Sequence, residues 1–333
     1  MLAVVLAAGR GSRLGPLTTD RSKAMMPVAG KPMIERVLDM LAAGGVDRGI
    51  VVAHPEDREL LTYLDRSSWV NKIRLSYQEQ RLGMVHALEC AVPQMGEEGA
   101  SGFLLASCDN LYPKGHVAKL LARYRHNELD AAVTLMWTSH GRATASAVAV
   151  LQDHLLTDII EKPDIETISS YYGSEEALSV PSLYVLSPKV LDYLRQVTPS
   201  ARGEREFPDA LRLLIADGGR VGGQEVGSRM TLTTPQDLLV LNRHVLRRDP
   251  TRATVEAKLP AEVTLVPPVR VEAGVHVACG CRIGPETYLE SGCQIGAHAI
   301  VRRSVIMRRG QVEPDSVVEA SVISHTGHGP AGL

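Results

Sequence analysis

An apolar run, residues 2–8, feeds straight into a glycine-rich basic loop, Gly9-Arg10-Gly11-Ser12-Arg13-Leu14, and Lys23 follows ten residues after Arg13. Glycines let backbone N–H groups approach phosphate oxygens without a Cβ in the way, and a following helix start adds a favourable dipole. Arg13 and Lys23 supply mobile positive charge. The chemistry that suits this pattern is the binding of a nucleoside triphosphate. Two better-known glycine motifs are excluded. A dinucleotide fingerprint needs its third glycine where Leu14 stands, and Gly15 comes one place late. A P-loop needs Lys-Ser or Lys-Thr behind a glycine, which this stretch lacks.

The loop must be held by a scaffold, and the apolar pattern says which. Short apolar runs at 4–6, 49–53, 103–106 and 131–135 alternate with stretches of helical spacing at 32–43 and 115–127. Such alternation predicts an α/β fold, a mostly parallel sheet flanked by helices. The pattern lasts to about Arg248, after which Pro250, Pro260, Pro267 and Pro268 appear and helical periodicity ends. We therefore expect two domains, 1–250 and 251–333. In the second, Leu265, Val271, Val277, Ile283, Leu289, Ile295, Val301 and Met307 recur every six residues; the register slips near Gln311, and Val312 and Val318 resume it. One inward aliphatic per face and three faces per coil resemble the hexapeptide repeat of a left-handed parallel β-helix. Such solenoids often serve acyltransferases, with a His as general base, for which His276 and His298 are the candidates. The array is too short for that, and a role in subunit contacts or regulation is the better reading.

Composition narrows the partners. Lys and Arg number 36 against 38 Asp and Glu, a net charge of −2, so nothing in the balance points to nucleic acid or an anionic membrane surface. The N-terminal apolar run is too short to span a bilayer and reads as a strand of a cytoplasmic protein. Five cysteines, at 90, 108, 279, 281 and 293, form no C-x-x-C pair and predict no disulfide framework. Cys279-x-Cys281 reads as core filling.

Residues 6–17, followed by 23–28 and by Gly30-Lys31-Pro32-Met33-Ile34, resemble the signature of the sugar-1-phosphate nucleotidyltransferases. The match is ordered over about residues 1–245, and an appended β-helix also occurs in that family. The resemblance implies a Rossmann-like nucleotidyltransferase fold and transfer of a nucleotidyl group from a triphosphate, dTTP or UTP, to a sugar 1-phosphate. It implies that Leu6, Ala8, Gly9, Arg10 and Gly11 bind the nucleotide and that Arg13, Lys23 and Lys162 are catalytic. Asp109, behind the run 103–106, matches the acid that binds Mg²⁺. Gln78 and Gly83 match the segment that reads a pyrimidine edge, with Gln80 as the alternative to Gln78. In Glu161-Lys162-Pro163, Lys162 would hold the sugar phosphate and Glu161 a sugar hydroxyl. Asn110, Ala147 and Val180 fall on the acceptor side, and residues 202–211 parallel a further segment near the sugar.

The departures from the family pattern fall on that side too. Val180 stands where an Asn contacts the sugar, Ala147 where a glycine abuts it, and Thr231 where a second metal carboxylate is usual. Two readings follow. One is an active enzyme whose acceptor is an unusual sugar or cyclitol phosphate. The other is a nucleotide-sensing paralogue or regulatory subunit. The retention of Arg13, Lys23, Asp109 and Lys162 favours the enzyme. An exposed solenoid face beside an α/β sheet leads us to expect a homo-oligomer.

Overall fold

The apolar runs become the centre of a ten-stranded sheet. In the computed structural model, which describes residues 1–329, its strands are β1 (Leu2–Leu6), β2 (Gly49–Ala53), β3 (Ile73–Tyr77), β4 (Phe103–Ser107), β5 (Ala131–Ser139), β6 (Ala147–Gln152), β7 (Leu155–Glu161), β8 (Glu176–Val180), β9 (Leu183–Leu186) and β10 (Val221–Glu225). Their spatial order is β8-β6-β7-β10-β5-β9-β4-β1-β2-β3, with β8 also pairing β5. β1 lies parallel between β2 and β4, so that Val5 stands beside Val51 on one side and Ala106 on the other. The pairings make β1–β6 and β10 run one way and β7–β9 the other. The sheet is thus mixed, with seven of its ten strands running one way, in keeping with the expected α/β fold.

β-branched and leucine side chains buried on both faces form the middle of this sheet: Val4, Val5, Ile50, Val51, Val52, Leu104 and Leu105 are fully inaccessible. Such strands need helical cover on both sides. Helix α1 (Met84–Met95) lays Val85, Leu88 and Ala91 on β1–β3, and α2 (His116–His126) lays Val117, Leu120 and Leu121 against β5. Helix α3 (Phe207–Ala216) packs on β7, and Phe207 lies 5.0 Å, ring centre to ring centre, from Tyr184 of β9.

Compactness divides the chain into two units that do not follow chain order. The first comprises residues 1–9 and 37–229, the second residues 10–36 and 230–333. Within the second, the strands Ala253–Val255, Val269–Val271, Thr287–Leu289, Val305–Ile306 and Val322–Ser324 stack in parallel as one face of a β-helix. Thr264–Leu265, Arg282–Ile283, Ile300–Arg302 and Val317–Glu319 form the second face, and His276–Val277, Gln294–Ile295 and Gln311–Val312 the third. Val271, Val277, Ile283, Leu289, Ile295, Val301, Val312 and Val318 fill its interior, as the six-residue period predicts. The phase slips earlier than expected. Leu289 aligns with Ile306, not Met307, while Ile295 aligns with Val312 and Val301 with Val318. The corner through Arg303, held at φ 52°, is one residue shorter than the corner through Glu286 above it. Cys281 and Cys293 fill the core, whereas Cys279 is exposed; all five cysteines are free thiols.

The loop segment belongs to this second unit. Buried Asn242 of α4 (Pro235–Leu246) takes the Ala29 amide N–H at 2.7 Å and donates to the Pro27 carbonyl at 3.0 Å. Arg21 pairs with Glu290 at 2.7 Å, and Arg308 reaches the Asp20 carboxylate at 3.3 Å. The stretch preceding Lys23 is therefore tied directly to the solenoid.

Candidate active site

In the first unit the residues of interest collect at the carboxyl ends of parallel strands. β1 ends at Leu6, whose carbonyl accepts the Cys108 N–H at 3.1 Å. Two residues on, the Ala8 carbonyl accepts Arg81 Nε at 2.7 Å. Gly9 is exposed, with open space around its α-carbon. Gln78 follows the end of β3 and is buried; its Nε2 donates to the Gly83 carbonyl at 3.1 Å and lies 3.2 Å from His86 Nδ1. Gln80 is exposed. Gly83 has φ +98°, and a Cβ there would stand 2.5 Å from the Arg205 carbonyl oxygen, so the position accepts no larger residue without strain. Arg205 holds its own place by a two-pronged ion pair with Glu89, at 2.6 and 2.9 Å.

Asp109 lies just beyond β4. Its Oδ1 accepts Ser107 Oγ at 2.6 Å and Asn110 Nδ2 at 2.9 Å, and that same amide donates to Ser107 Oγ at 2.7 Å. The Asn110 side-chain oxygen accepts Arg229 Nη1. Asn110 thus links a carboxylate to a guanidinium. Nearby, the Tyr112 hydroxyl is buried and has no hydrogen-bond partner among the described residues; burial pushes its pKa far up, against the pull of Arg229. Tyr184 is shifted up in the same way, by burial first and then by Glu161, and Arg229 again opposes the shift.

The acceptor-side positions meet through strand register. Ala147 pairs with Glu161 across β6 and β7 and with Val180 across β6 and β8. Ala147 and Val180 are buried in the sheet core, so both departures from the family pattern form one apolar wall beside Glu161. Lys162, at φ +46°, turns the chain out of β7, and its Nζ lies 3.0 Å from Glu161 Oε1. Arg202 pairs with Glu206 and, at 3.6 Å, with Glu161. Burial and then the Glu161 charge raise the pKa values of both Glu206 and Asp209. This is a dense network of acids and bases of the kind found where polar ligands bind.

The second unit carries the other cations. Gly11, at φ +70°, opens a 3₁₀ stretch (Ser12–Thr18) anchored by buried Leu14 and Leu17; Arg10 and Arg13 are exposed. A Cβ on Gly11 would stand 3.1 Å from Lys23 Cβ, so the glycine and the buried lysine are immediate neighbours. The Thr231 hydroxyl lies 3.2 Å from that of Thr233.

Sequence reading overlooked several members of these clusters. Arg229, Tyr112, Ser107, Arg81 and His86 carry no motif of their own. Ser107 and Tyr112 were visible only as flanks of the Asp109 segment. For a divalent cation, the donor set is Asp109 with phosphate oxygens and water, a set Mg²⁺ accepts. Among the described residues no three His, Cys, Asp or Glu side chains cluster in a way that could hold a metal by themselves.

Comparison with known proteins bears on this arrangement. Residues 2–228 match the family model described as nucleotidyl transferase, and residues 265–328 match the GMPPB C-terminal domain. The chain is 30% identical over 239 residues to UTP--glucose-1-phosphate uridylyltransferase AglF of Haloferax volcanii, covering 71% of this chain and 93% of that protein. It is 30% identical over 343 residues to glucose-1-phosphate thymidylyltransferase of Streptomyces griseus, covering 97% and 92%. A crystal structure of UDP-glucose pyrophosphorylase with UDP-glucose shares the fold, with a TM-score of 0.65 at 20% identity over 74% of this chain and 98% of the other.

Proposed function

Because the chain belongs to the nucleotidyl transferase family, we propose that it transfers a nucleotidyl group from dTTP or UTP to a sugar 1-phosphate, releasing pyrophosphate and a nucleoside diphosphate sugar. The observation that carries this reading is the row of strand ends. Leu6 to Gly9, Gln78 and Asp109 follow the carboxyl ends of β1, β3 and β4, strands that run in one direction, where open α/β sheets bind ligands. The curated relatives named above act on glucose 1-phosphate with UTP or as a thymidylyltransferase.

In the proposed reaction an acceptor phosphate oxygen attacks the α-phosphorus in line, a new P–O bond forms, and the bond to pyrophosphate breaks. Charge builds on phosphate oxygens, so positioning and cations dominate the catalysis. The amides of Gly9, Arg10 and Gly11 hold the triphosphate. Arg13 neutralises the leaving pyrophosphate, and Lys23 the oxygens around the attacked centre. Gln78, fixed against Gly83, offers an amide to the O4 and N3–H edge of uracil or thymine. Lys162 takes the acceptor phosphate and Glu161 a sugar hydroxyl, beside the apolar wall of Ala147 and Val180. A divalent cation, Mg²⁺, would be held by Asp109 and would supply further charge neutralisation on the phosphates.

Both substrates are multiply charged and do not cross a bilayer unaided, which supports a cytoplasmic site of action. Among the described residues no helix is long and apolar enough to cross a membrane. Assembly as a homo-oligomer, the commonest state of soluble oligomers, would be revealed by sedimentation. The deciding experiment is a pyrophosphate-release screen of dTTP, UTP, CTP, ATP and GTP against a panel of sugar and cyclitol phosphates with Mg²⁺. Turnover with a pyrimidine triphosphate is expected. Triphosphate binding with no turnover for any pair would point instead to a nucleotide-sensing relative.

A further inference from the structure

Most cations of the acceptor cleft are already neutralised within the protein. Lys162 sits 3.0 Å from Glu161, and Arg202 is paired with both Glu161 and Glu206. Arg229 is different. Its guanidinium is half-buried and, among the described residues, bonds only to the neutral side-chain oxygen of Asn110, through Nη1. Its Nε is buried with no hydrogen-bond partner, and among the described residues no carboxylate forms an ion pair with it. A partly desolvated charge without a counter-charge is costly, as is a buried N–H without an acceptor. The cost disappears when an anion arrives.

The geometry of the side chain says what kind of anion. With Nη1 committed to Asn110, the Nε–H is the donor left without an acceptor, and Nε with Nη2 forms the two-donor edge of the guanidinium. That fork matches two oxygens of one phosphate group. Its surroundings say which phosphate. Through the Asn110 side chain Arg229 is linked to Asp109, and its charge reaches Tyr184, whose ring lies 5.0 Å from that of Phe207, next in the chain to the Glu206 that shares Arg202 with Glu161. The free edge therefore lies in the field shared by the Glu161–Lys162 cluster and the Asp109 carboxylate. We propose that Arg229 is a substrate-binding residue that grips the phosphate of the acceptor sugar 1-phosphate, with Asn110 holding the guanidinium in place. This rests on the transfer reaction proposed above and adds a recognition element to it. It also compensates for the acceptor side's losses at Ala147 and Val180: fewer contacts to the sugar, more grip on its phosphate.

The test uses the full-length protein and Arg229→Met and Arg229→Lys variants, each first compared with wild type for thermal midpoint. Initial rates are measured with glucose 1-phosphate varied at saturating UTP or dTTP, then with the triphosphate varied. Loss of a two-pronged charged contact should raise the KM for glucose 1-phosphate roughly 10- to 100-fold in Arg229→Met. The KM for the triphosphate should stay within about twofold, and Arg229→Lys should recover part of the loss. A shift in the triphosphate KM alone, or equal KM values for glucose 1-phosphate in all three proteins, would overturn the assignment. Should wild type turn over no substrate pair, the transfer reading fails by itself. Calorimetric titration of glucose 1-phosphate then decides the role of Arg229: binding by wild type that Arg229→Met weakens at least tenfold supports it, and equal binding or none refutes it.

Discussion

Replacing Arg21 with Met should destabilise the second unit by about 3–5 kcal/mol, the cost of removing one partner of a buried ion pair. The structure makes this pair a strong case. Arg21 Nη1 lies 2.7 Å from Glu290 Oε1, and the two side chains are only 2% and 12% exposed. Glu290 Oε2 also accepts the Arg308 backbone N–H at 2.7 Å, so the carboxylate stays in place when Arg21 is gone. Burial already raises the Glu290 pKa above its usual value, and Arg21 opposes that shift without cancelling it. The desolvation of the carboxylate thus outweighs the attraction of its partner. A neutral pair should therefore be nearly as good as the charged one. Glu290→Gln keeps an acceptor for Arg308 but strands the guanidinium, whose Nε and Nη2 already lack partners among the described residues. With Glu290→Gln costing a similar amount, about 3–5 kcal/mol, the double variant R21M/E290Q removes both charges and should lie within about 1–2 kcal/mol of wild type, giving a coupling of at least about 4 kcal/mol. The pH dependence has a definite sign. A carboxyl whose folded pKa is raised contributes stability at low pH that is lost as pH rises through that value. Without Arg21 the pKa rises further, so the loss in R21M should grow as pH rises above the ordinary carboxylate range. Urea unfolding followed by far-UV circular dichroism reads the effect. Trp69 and Trp137 both lie in the first unit, so their fluorescence follows that unit separately. Additive single losses, or a loss in R21M that does not vary with pH, would refute the reasoning.

His116 offers a second pH test. Burial, and then Lys119, lower its pKa to about 4, and its Nε2 lies 3.0 Å from the buried Thr134 hydroxyl. The unfolded chain binds the extra proton first, so stability should fall by up to about 3 kcal/mol as pH drops from about 6.5 to about 4. Denaturation midpoints of His116→Gln across that range should lack this slope; an unchanged slope would discount His116. Gly83→Ala forces a Cβ to within 2.5 Å of the Arg205 carbonyl oxygen at φ +98°. It should cost about 1–3 kcal/mol in urea unfolding and raise the triphosphate KM through Gln78, whereas wild-type stability and KM would contradict the strain argument. Lys23→Ala and Asp109→Ala should each lower kcat by at least about 10²-fold with the far-UV spectrum retained. Near-normal turnover in either variant removes that residue from the catalytic set.

What could be read without coordinates is what repeats over a short span. The strand-to-loop transition at Leu6 and Gly9, the alternating apolar runs, and the six-residue period through Val301 all express local geometry, with two residues per pleat or one inward aliphatic per β-helix face. Each is visible in a window shorter than the element that uses it. The acid behind β4 and the Glu161–Lys162 pair were legible in the same way, as strand-end residues in a fixed order. Other features had no local trace. Arg229 meets Asn110 from 119 positions away, and Arg21 meets Glu290 from 269. Ala147, Glu161 and Val180 form one row only because antiparallel register sets them side by side. The shortened corner at Arg303 moved Ile306, not Met307, into the solenoid interior, because one missing turn residue shifts every later side chain against the coil before it. Local periodicity determined the elements and the place of the glycine-rich loop. Only the tertiary structure decided which charges are paired, which one is left for a ligand, and that the loop carrying Arg13 and Lys23 packs with the β-helix, because pairing depends on distances that chain folding alone sets.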